Sequence, residues 1–322
     1  MPAINLFSQR SRTFLVIGRA GMDFTPAVHG ETALESASFS AGLGGSSANI
    51  SAGLVKLGCA AAIMTPVSDD LIGRFCIHQL QRYGVDTGFV TMVGGEYRNS
   101  LAVYDRTETV IYRNGAADFQ LTKADVEKPD YAAFAGLITT GTVLAGEPSR
   151  TSTFRAFDLA KEAGLPLIFD VDYRPYSWAS AEEAAEVYSR AATYCDVIIG
   201  NDDEFGFMAG GYDLGLEKAR TLVRSGASIV VYKQGEKGSI TITEDNETEC
   251  GIYPVEALAP NGAGDAFMGG LLSSLVQGLD LPTAVDRGSA SAAITVSRAG
   301  CAEAIPTTDE LNDFMDDRTN QR

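Results

Sequence analysis

Six short apolar runs recur along the chain: TFLVIG at 13–18, AAAIMTPV at 60–67, AGLITTGTV at 135–143, PLIFDVD at 166–172, CDVIIGN at 195–201 and SIVVYKQG at 228–235. They are continuous rather than alternating, which fits strands covered on both faces, as in a parallel sheet. Between them lie stretches with helical spacing, SSANISAGLVKLG (46–58), DLIGRFCIHQLQRYG (70–84), SRTSTFRAFDLAKEAG (149–164) and EEAAEVYSRAATY (182–194). Several close on Gly, which readily takes the left-handed turn just past a helix end. Strand alternating with helix predicts an α/β fold, a Rossmann-like doubly wound and mostly parallel sheet with one main domain.

Two regions break that rhythm. Residues 24–43, FTPAVHGETALESASFSAGL, and 94–118, GGEYRNSLAVYDRTETVIYRNGAAD, alternate more and carry turn residues. They predict short antiparallel strands away from the main sheet. Pattern alone leaves two arrangements open, one shared flap over a pocket or two independent surface hairpins. The closing DDRTNQR is expected to fray.

Composition narrows the function classes. The 322 residues are 45% hydrophobic and 21% charged, ordinary for a globular protein, with 42 acidic against 25 basic side chains. A formal charge of −17 argues against nucleic-acid or anionic-membrane partners, which favour a basic face, but leaves an anionic small molecule possible. Five scattered cysteines without a CxxC pair read as small buried residues of a reducing compartment. Two histidines, His29 and His78, leave little for a His-based metal site or triad. TFLVIG is too short for a signal peptide, Asp23 follows it closely, and no run nears the ~18 apolar residues of a membrane span. A cytoplasmic protein is expected.

Four stretches carry candidate chemistry. In PNGAGDAFMGG, the small residues Gly262, Ala263 and Gly264 precede Asp265 and a helical run. If this loop enters a helix, its first amides point outward unpaired and the helix dipole adds roughly half a positive charge. Such an end suits the charge on a transferring phosphoryl group, with Asp265 beside it to take a hydroxyl proton. The same Asp could instead simply stabilise its own helix. In GLGGSSANISAG, a double Gly before Asn49 would bring backbone and one amide side chain to a polar ligand, or only form a capped turn. In GNDDEF, Asn201 and Glu204 follow a buried strand, placed to orient a hydrated Mg²⁺ through water, or to form a solvated acidic loop. KQGEKGS at 233–239 has the Gly spacing of a turn passing near a base or phosphate.

The order of these four stretches resembles the ribokinase-like (PfkB) carbohydrate kinases, over about residues 12–310. The resemblance implies a kinase domain over 12–310, a discontinuous β lid from about 24–43 and 94–118, and a C-terminal tail from 311 to 322. It implies Asp265 as catalytic base and Gly262, Ala263 and Gly264 as the anion hole. Asp23, Gly44, Gly45 and Asn49 would hold sugar hydroxyls, Asn201 and Glu204 would position Mg²⁺, and Lys233, Gly235 and Gly238 would lie near ATP. Ser289, in GSASAAI, stands where many members carry Asn beside the adenine. Ala259 and Asn261 also depart from the usual residues ahead of GAGD. Some members bind K⁺ through backbone carbonyls, and SRAGCAEA (297–304) is the matching stretch. Lid strands often pair between subunits, which implies a homodimer.

Within that family, IGRAGMDF, YRNGAAD, FDVDYRPYSW, CDVIIGNDDEF and SRAGCAEAIPT resemble the members that phosphorylate the 6-hydroxyl of 5-dehydro-2-deoxygluconate. A sugar acid calls for a cation, and Arg174 in DYRPYSW is the natural candidate, since Arg grips a carboxylate through two parallel hydrogen bonds. Arg98 and Arg113 lie on the implied lid, where they would close over the same acceptor. Kinases of 2-keto-3-deoxygluconate typically carry Asp-Pro-Asn-x-Arg where this chain has Asp170, Val171, Asp172, Tyr173 and Arg174; Asp172 favours the former. Another sugar kinase of this family remains an alternative. A catalytically silent sugar-binding regulator would be expected to lose part of the GAGD stretch, which is intact here. A dinucleotide-binding enzyme would need a middle Gly between Gly18 and Gly21.

Overall fold

The structure is a computed structural model and describes residues 6–7, 11–28, 30–105, 108–258 and 261–319. His29 and Ala259 lie outside them, as do residues 320–322 of the expected tail. In chain order the strands are β1 Thr13–Ile17, β2 Gly21–Pro26, β3 Phe39–Gly44, β4 Ala60–Ser68, β5 Asp86–Val93, β6 Leu101–Tyr104 and β7 Thr109–Tyr112. They continue as β8 Gly136–Thr140, β9 Leu167–Asp170, β10 Val197–Asn201, β11 Ile229–Lys233, β12 Ser239–Ile242 and β13 Glu247–Cys250. The helices are α1 Ser46–Lys56, α2 Leu71–Arg82, α3 Lys123–Val126, α4 Ser149–Glu162 and α5 Ala181–Ala192. Then follow α6 Asp202–Ala209, α7 Gly215–Arg224, α8 Ala263–Val276, α9 Leu281–Val296 and α10 Thr308–Thr319.

Nine strands form one sheet in the order β13-β12-β11-β10-β9-β8-β1-β4-β5, parallel from β11 to β5 and antiparallel at β12 and β13. All six apolar runs supply strands of this sheet. β1 shows why such runs have no alternation: Leu15 and Ile17 enter one core with Leu137, Phe157 and Phe169, while Phe14 and Val16 enter another with Ile138, Ile50 and Leu271. Both faces are dry from Phe14 to Ile17, so these positions are all apolar, and only Thr13 at the start of the strand is polar and partly exposed. Each large aliphatic side chain buried this way contributes about 1.5–3 kcal/mol. The second core is roofed by α1 and α8, which places those two helices side by side.

β5 and the β12–β13 hairpin escape the apolar-run pattern. Both lie toward sheet edges and are partly exposed, so their polar positions mask them. The run at 135–143 is strand only to Thr140, then one turn of 3₁₀ helix. The expected tail is helix from Thr308 to Thr319, with Leu311 fully buried. Among the described residues, no helix is long and apolar enough to cross a membrane.

The two irregular regions join a single four-stranded sheet, β3-β2-β6-β7. β2 pairs antiparallel with β3, β6 with β7, and the two hairpins meet through a parallel β2–β6 pairing, Met22 opposite Leu101. β3 runs directly into α1, so the small sheet is tied to the helix that roofs the main one.

Candidate active site

A cavity of about 440 Å³ lies at the carboxyl ends of the parallel strands, where ligands bind in open α/β sheets. β9 ends there in Asp170, β10 in Asn201 and β11 in Lys233, and sheet register sets Asn201 directly opposite Lys233. The small sheet closes another side with Tyr104, Thr109 and Ile111.

Asn261, Gly262, Ala263, Gly264 and Asp265 all line this cavity. Gly262 is the N-cap of α8 at φ 77°, a left-handed conformation that side-chain-bearing residues rarely adopt, and no side chain caps the helix. The first amides of α8 therefore remain open at the cavity. Lys233 stands beside them: a Cβ on Gly264 would lie 3.2 Å from its Nζ. Asp265 accepts a 2.9 Å hydrogen bond from Asn49 Nδ2 of α1. Burial, and next the charge of Asp172, push its carboxyl up to about 7, while Asn49, Arg174 and Lys233 pull the other way. A carboxylate poised near neutrality suits a base.

Asn201 and Glu204 do more than flank a loop. They form a capping box on α6: Glu204 N donates to Asn201 Oδ1 at 2.8 Å and Asn201 N to Glu204 Oε2 at 2.8 Å. Glu204 Oε1 also accepts from Tyr173 N at 3.1 Å. Both side chains line the cavity beside Asp170, whose carboxyl burial raises well above its ordinary range, with Asp172, Glu204 and Asp265 adding to the rise and Lys233 opposing it. Hard oxygen donors on one wall fit a hydrated Mg²⁺ reached through water. Among the described residues, no three His, Cys, Asp or Glu side chains form a metal cluster by themselves.

Asp172 and Arg174 line the cavity too. Asp172 sits at φ 38°, a strained conformation for a non-Gly residue, held by Ser46 Oγ at 2.6 Å and Arg174 NH2 at 2.7 Å. Burial raises its carboxyl, but Arg174 and Ser46 outweigh this and hold it low. Arg174 NH1 donates to Tyr173 O at 2.9 Å, and the Tyr173 ring stacks 3.6 Å from Phe207.

Gly45 and Asn49 line the cavity, whereas Asp23 and Gly44 do not. Asp23 is buried behind the wall, and a Cβ on Gly44 would stand 1.9 Å from its Oδ1, so the glycine makes room for the carboxylate. Burial raises Asp23 to about 6, against the pull of Arg19. Arg98 is not at the cavity: its side chain is 66% exposed and bonds to Gly95 O and Tyr97 O. Arg113 is buried and committed elsewhere, with Asp118 Oδ2 on its Nε and NH2, Thr142 O at 2.9 Å from NH2 and Phe119 4.2 Å beneath it. Gly235, Gly238 and Ser289 also lie off the cavity, but the last two meet at Cys250. A Cβ on Gly238 would stand 2.1 Å from Cys250 O, and Ser289 Oγ lies 3.6 Å from Cys250 Sγ.

Arg19, Ser46, Tyr104, Asp170, Tyr176 and Cys301 complete the wall without having been singled out in the sequence. Arg19 and Asp170 had a signal. Each is a charged residue at the carboxyl end of a buried strand, where an α/β sheet places its ligands.

The model of the pfkB family carbohydrate kinases matches residues 11–308. The 5-dehydro-2-deoxygluconokinase of Geobacillus kaustophilus is 34% identical over 321 residues, covering 97% of this chain and 96% of the relative. The enzyme of that name from Photobacterium profundum is 35% identical and covers 99% of each chain. Among solved structures, aminoimidazole riboside kinase from Salmonella enterica, complexed with aminoimidazole riboside and an ATP analogue, superposes with a TM-score of 0.83 at 25% identity, covering 94% of this chain and 99% of the other. A fructokinase double mutant from Vibrio cholerae, in its fructose-, ADP- and potassium-bound form, gives a TM-score of 0.85 at 26% identity, covering 95% and 99%.

Proposed function

The chain belongs to the PfkB family of carbohydrate kinases, and from that premise we propose that it transfers the γ-phosphate of ATP to the 6-hydroxyl of 5-dehydro-2-deoxygluconate. Asp265 at the open N-terminus of α8 carries the proposal, because a base tuned to about 7 and an uncapped set of amides share one cavity. The relatives' shared name supports the acceptor, and Arg174 at the cavity supports an acidic one.

In this mechanism Asn49 holds the Asp265 carboxylate in place, and Asp265 takes the proton of the attacking hydroxyl. The amides of Gly262, Ala263 and Gly264 and the ammonium of Lys233 stabilise the charge on the transferring phosphoryl group. When bound, Mg²⁺ neutralises the phosphate oxygens; Asn201 and Glu204, with Asp170, would hold it through water. Gly45 and Asn49 meet acceptor hydroxyls, while Asp23 and Gly44 support that wall from behind. Asp172 and Arg174 face the acceptor as a pair. Gly235, Gly238 and Ser289 flank the adenine side, and carbonyls of residues 297–304 are the candidate K⁺ ligands. The small sheet serves as a lid that excludes water, which would otherwise accept the phosphoryl group. Pairing of its strands between subunits would give a homodimer, and the ATP requirement fits a cytoplasmic enzyme.

ADP release measured with 5-dehydro-2-deoxygluconate, 2-keto-3-deoxygluconate and fructose tests this. A clear preference for the first is expected. Preference for either other acceptor would keep the base and move the substrate.

A further inference from the structure

Three cations line the cavity, Arg19, Arg174 and Lys233, against four carboxylates, Asp170, Asp172, Glu204 and Asp265. An acidic acceptor entering so negative a site needs a positive group that is not already engaged. Lys233 lies at the phosphate end, beside Gly264. Arg174 has NH2 on Asp172 and NH1 on Tyr173 O. Arg19 differs. It is 7% exposed and its NH1 donates to Ser100 Oγ at 3.1 Å. Burial pulls its pKa down and the carboxylates of Asp23, Asp118 and Asp172 raise it overall, yet among the described residues none of them comes within ion-pair distance.

Its position is fixed from both sides. Arg19 O accepts from Ala48 N of α1 at 3.3 Å, one residue before the Asn49 that holds Asp265. A Cβ on Gly21 would stand 3.2 Å from NH1, so the glycine leaves space for the guanidinium. We propose that Arg19 reads the acid end of the acceptor, forming the charged hydrogen bonds that select a sugar acid over a neutral sugar. The inference rests on the sugar-acid reading above. Asp23 acts on this buried guanidinium without contacting it, so its charge is only partly compensated, and a substrate carboxylate at hydrogen-bond distance completes the pairing. A neutral sugar leaves that direct pairing unmade, so the same residue favours one class over the other.

The test is steady-state kinetics of wild type, Arg19→Gln, Arg19→Lys and Arg174→Gln with 5-dehydro-2-deoxygluconate and with fructose, alongside thermal melts. Arg19→Gln is expected to lower kcat/KM for the acid about 100-fold, mostly through KM, leaving the KM for ATP within twofold. Arg19→Lys keeps the charge without the planar fork and should lose about tenfold, which decides the matter if the Gln variant does not fold. The proposal is overturned if wild type prefers the acid and both Arg19 variants stay within threefold of it, or if KM for ATP rises in parallel. A wild type that prefers fructose removes the sugar-acid reading and this inference together, a result distinct from failure at Arg19 alone.

Discussion

Asn49 Nδ2 donates a 2.9 Å hydrogen bond to Asp265 Oδ2, joining α1 to α8 across 216 positions of the chain. An Asp in the first turn of a helix ordinarily stabilises that helix's own amides. Here the carboxylate is engaged from the neighbouring helix instead, with its burial and its pKa set by packing between the two.

Asp265→Asn is expected to lower kcat by at least 10³-fold while leaving the Kd for an ATP analogue within a few-fold. Calorimetric titration and initial rates measure the two separately. Survival of turnover within a few-fold of wild type would remove Asp265 as base.

The pH profile follows from the raised carboxyl. Asp265 must be ionised to accept a proton, so kcat/KM, which reports the free enzyme, should rise with pH through about 7. Asn49→Ala removes a bond that favours the ionised form and should move this limb upward by about half to one pH unit. An unshifted limb would show that another group titrates.

Stability should respond in the opposite sense. The folded carboxyl titrates at about 7 against 3.8 ordinarily, so the folded state binds the extra proton between those values. Asp265 therefore contributes a loss of stability as pH rises from about 4 to about 7. Asp265→Asn removes that contribution, while Asp170, Asp23 and Glu204, also raised by burial, keep theirs. The variant should gain about 1–2 kcal/mol over wild type at pH 8 relative to pH 5, the size reduced because the group opens to the cavity. Denaturant melts at the two pH values measure the difference.

Glu204→Gln preserves the size of the side chain but removes its charge. The Mg²⁺ concentration for half-maximal rate should rise about tenfold. Gln can keep the capping-box bond from Asn201 N but not also the one from Tyr173 N, since its amide has a single acceptor oxygen, so the melting temperature should fall modestly. A large loss of stability with unchanged Mg²⁺ dependence would assign Glu204 to structure alone.

Arg98 and Arg113 separate cleanly. Arg98→Ala should alter kcat/KM for the acceptor less than twofold and stability by under about 0.5 kcal/mol, since its side chain is exposed. Arg113→Ala leaves Asp118 buried without its partner and should cost about 3–5 kcal/mol in a denaturation curve.

Much of the architecture was legible because it rests on local pattern. Runs such as TFLVIG are apolar over consecutive positions, Phe14 to Ile17, and too short for a helix, so they read as strands with two dry faces, and their alternation with helical stretches indicated the α/β class. The GAGD stretch likewise predicted a small-residue turn entering a helix, as Gly262 and α8 bear out. The NDDE stretch was half legible: its spacing is also that of a capping box, the role both residues play before any metal is considered. β5 and the β12–β13 hairpin were not legible, since edge strands carry polar positions that blur their period.

What the sequence determined by itself is the set of elements, the turn at α8 and the identity of the carboxylate at its start, because spacing and side-chain volume act over a few neighbouring residues. Only the tertiary structure decided which charges face the cavity. Arg98, Arg113 and Arg19 look equally available along the chain. Yet packing exposes the first, pairs the second with Asp118, and brings the third to the cavity wall against Ser100, 81 positions away. Electrostatic partnership depends on distance in space, and contacts across that many residues leave no period in the sequence.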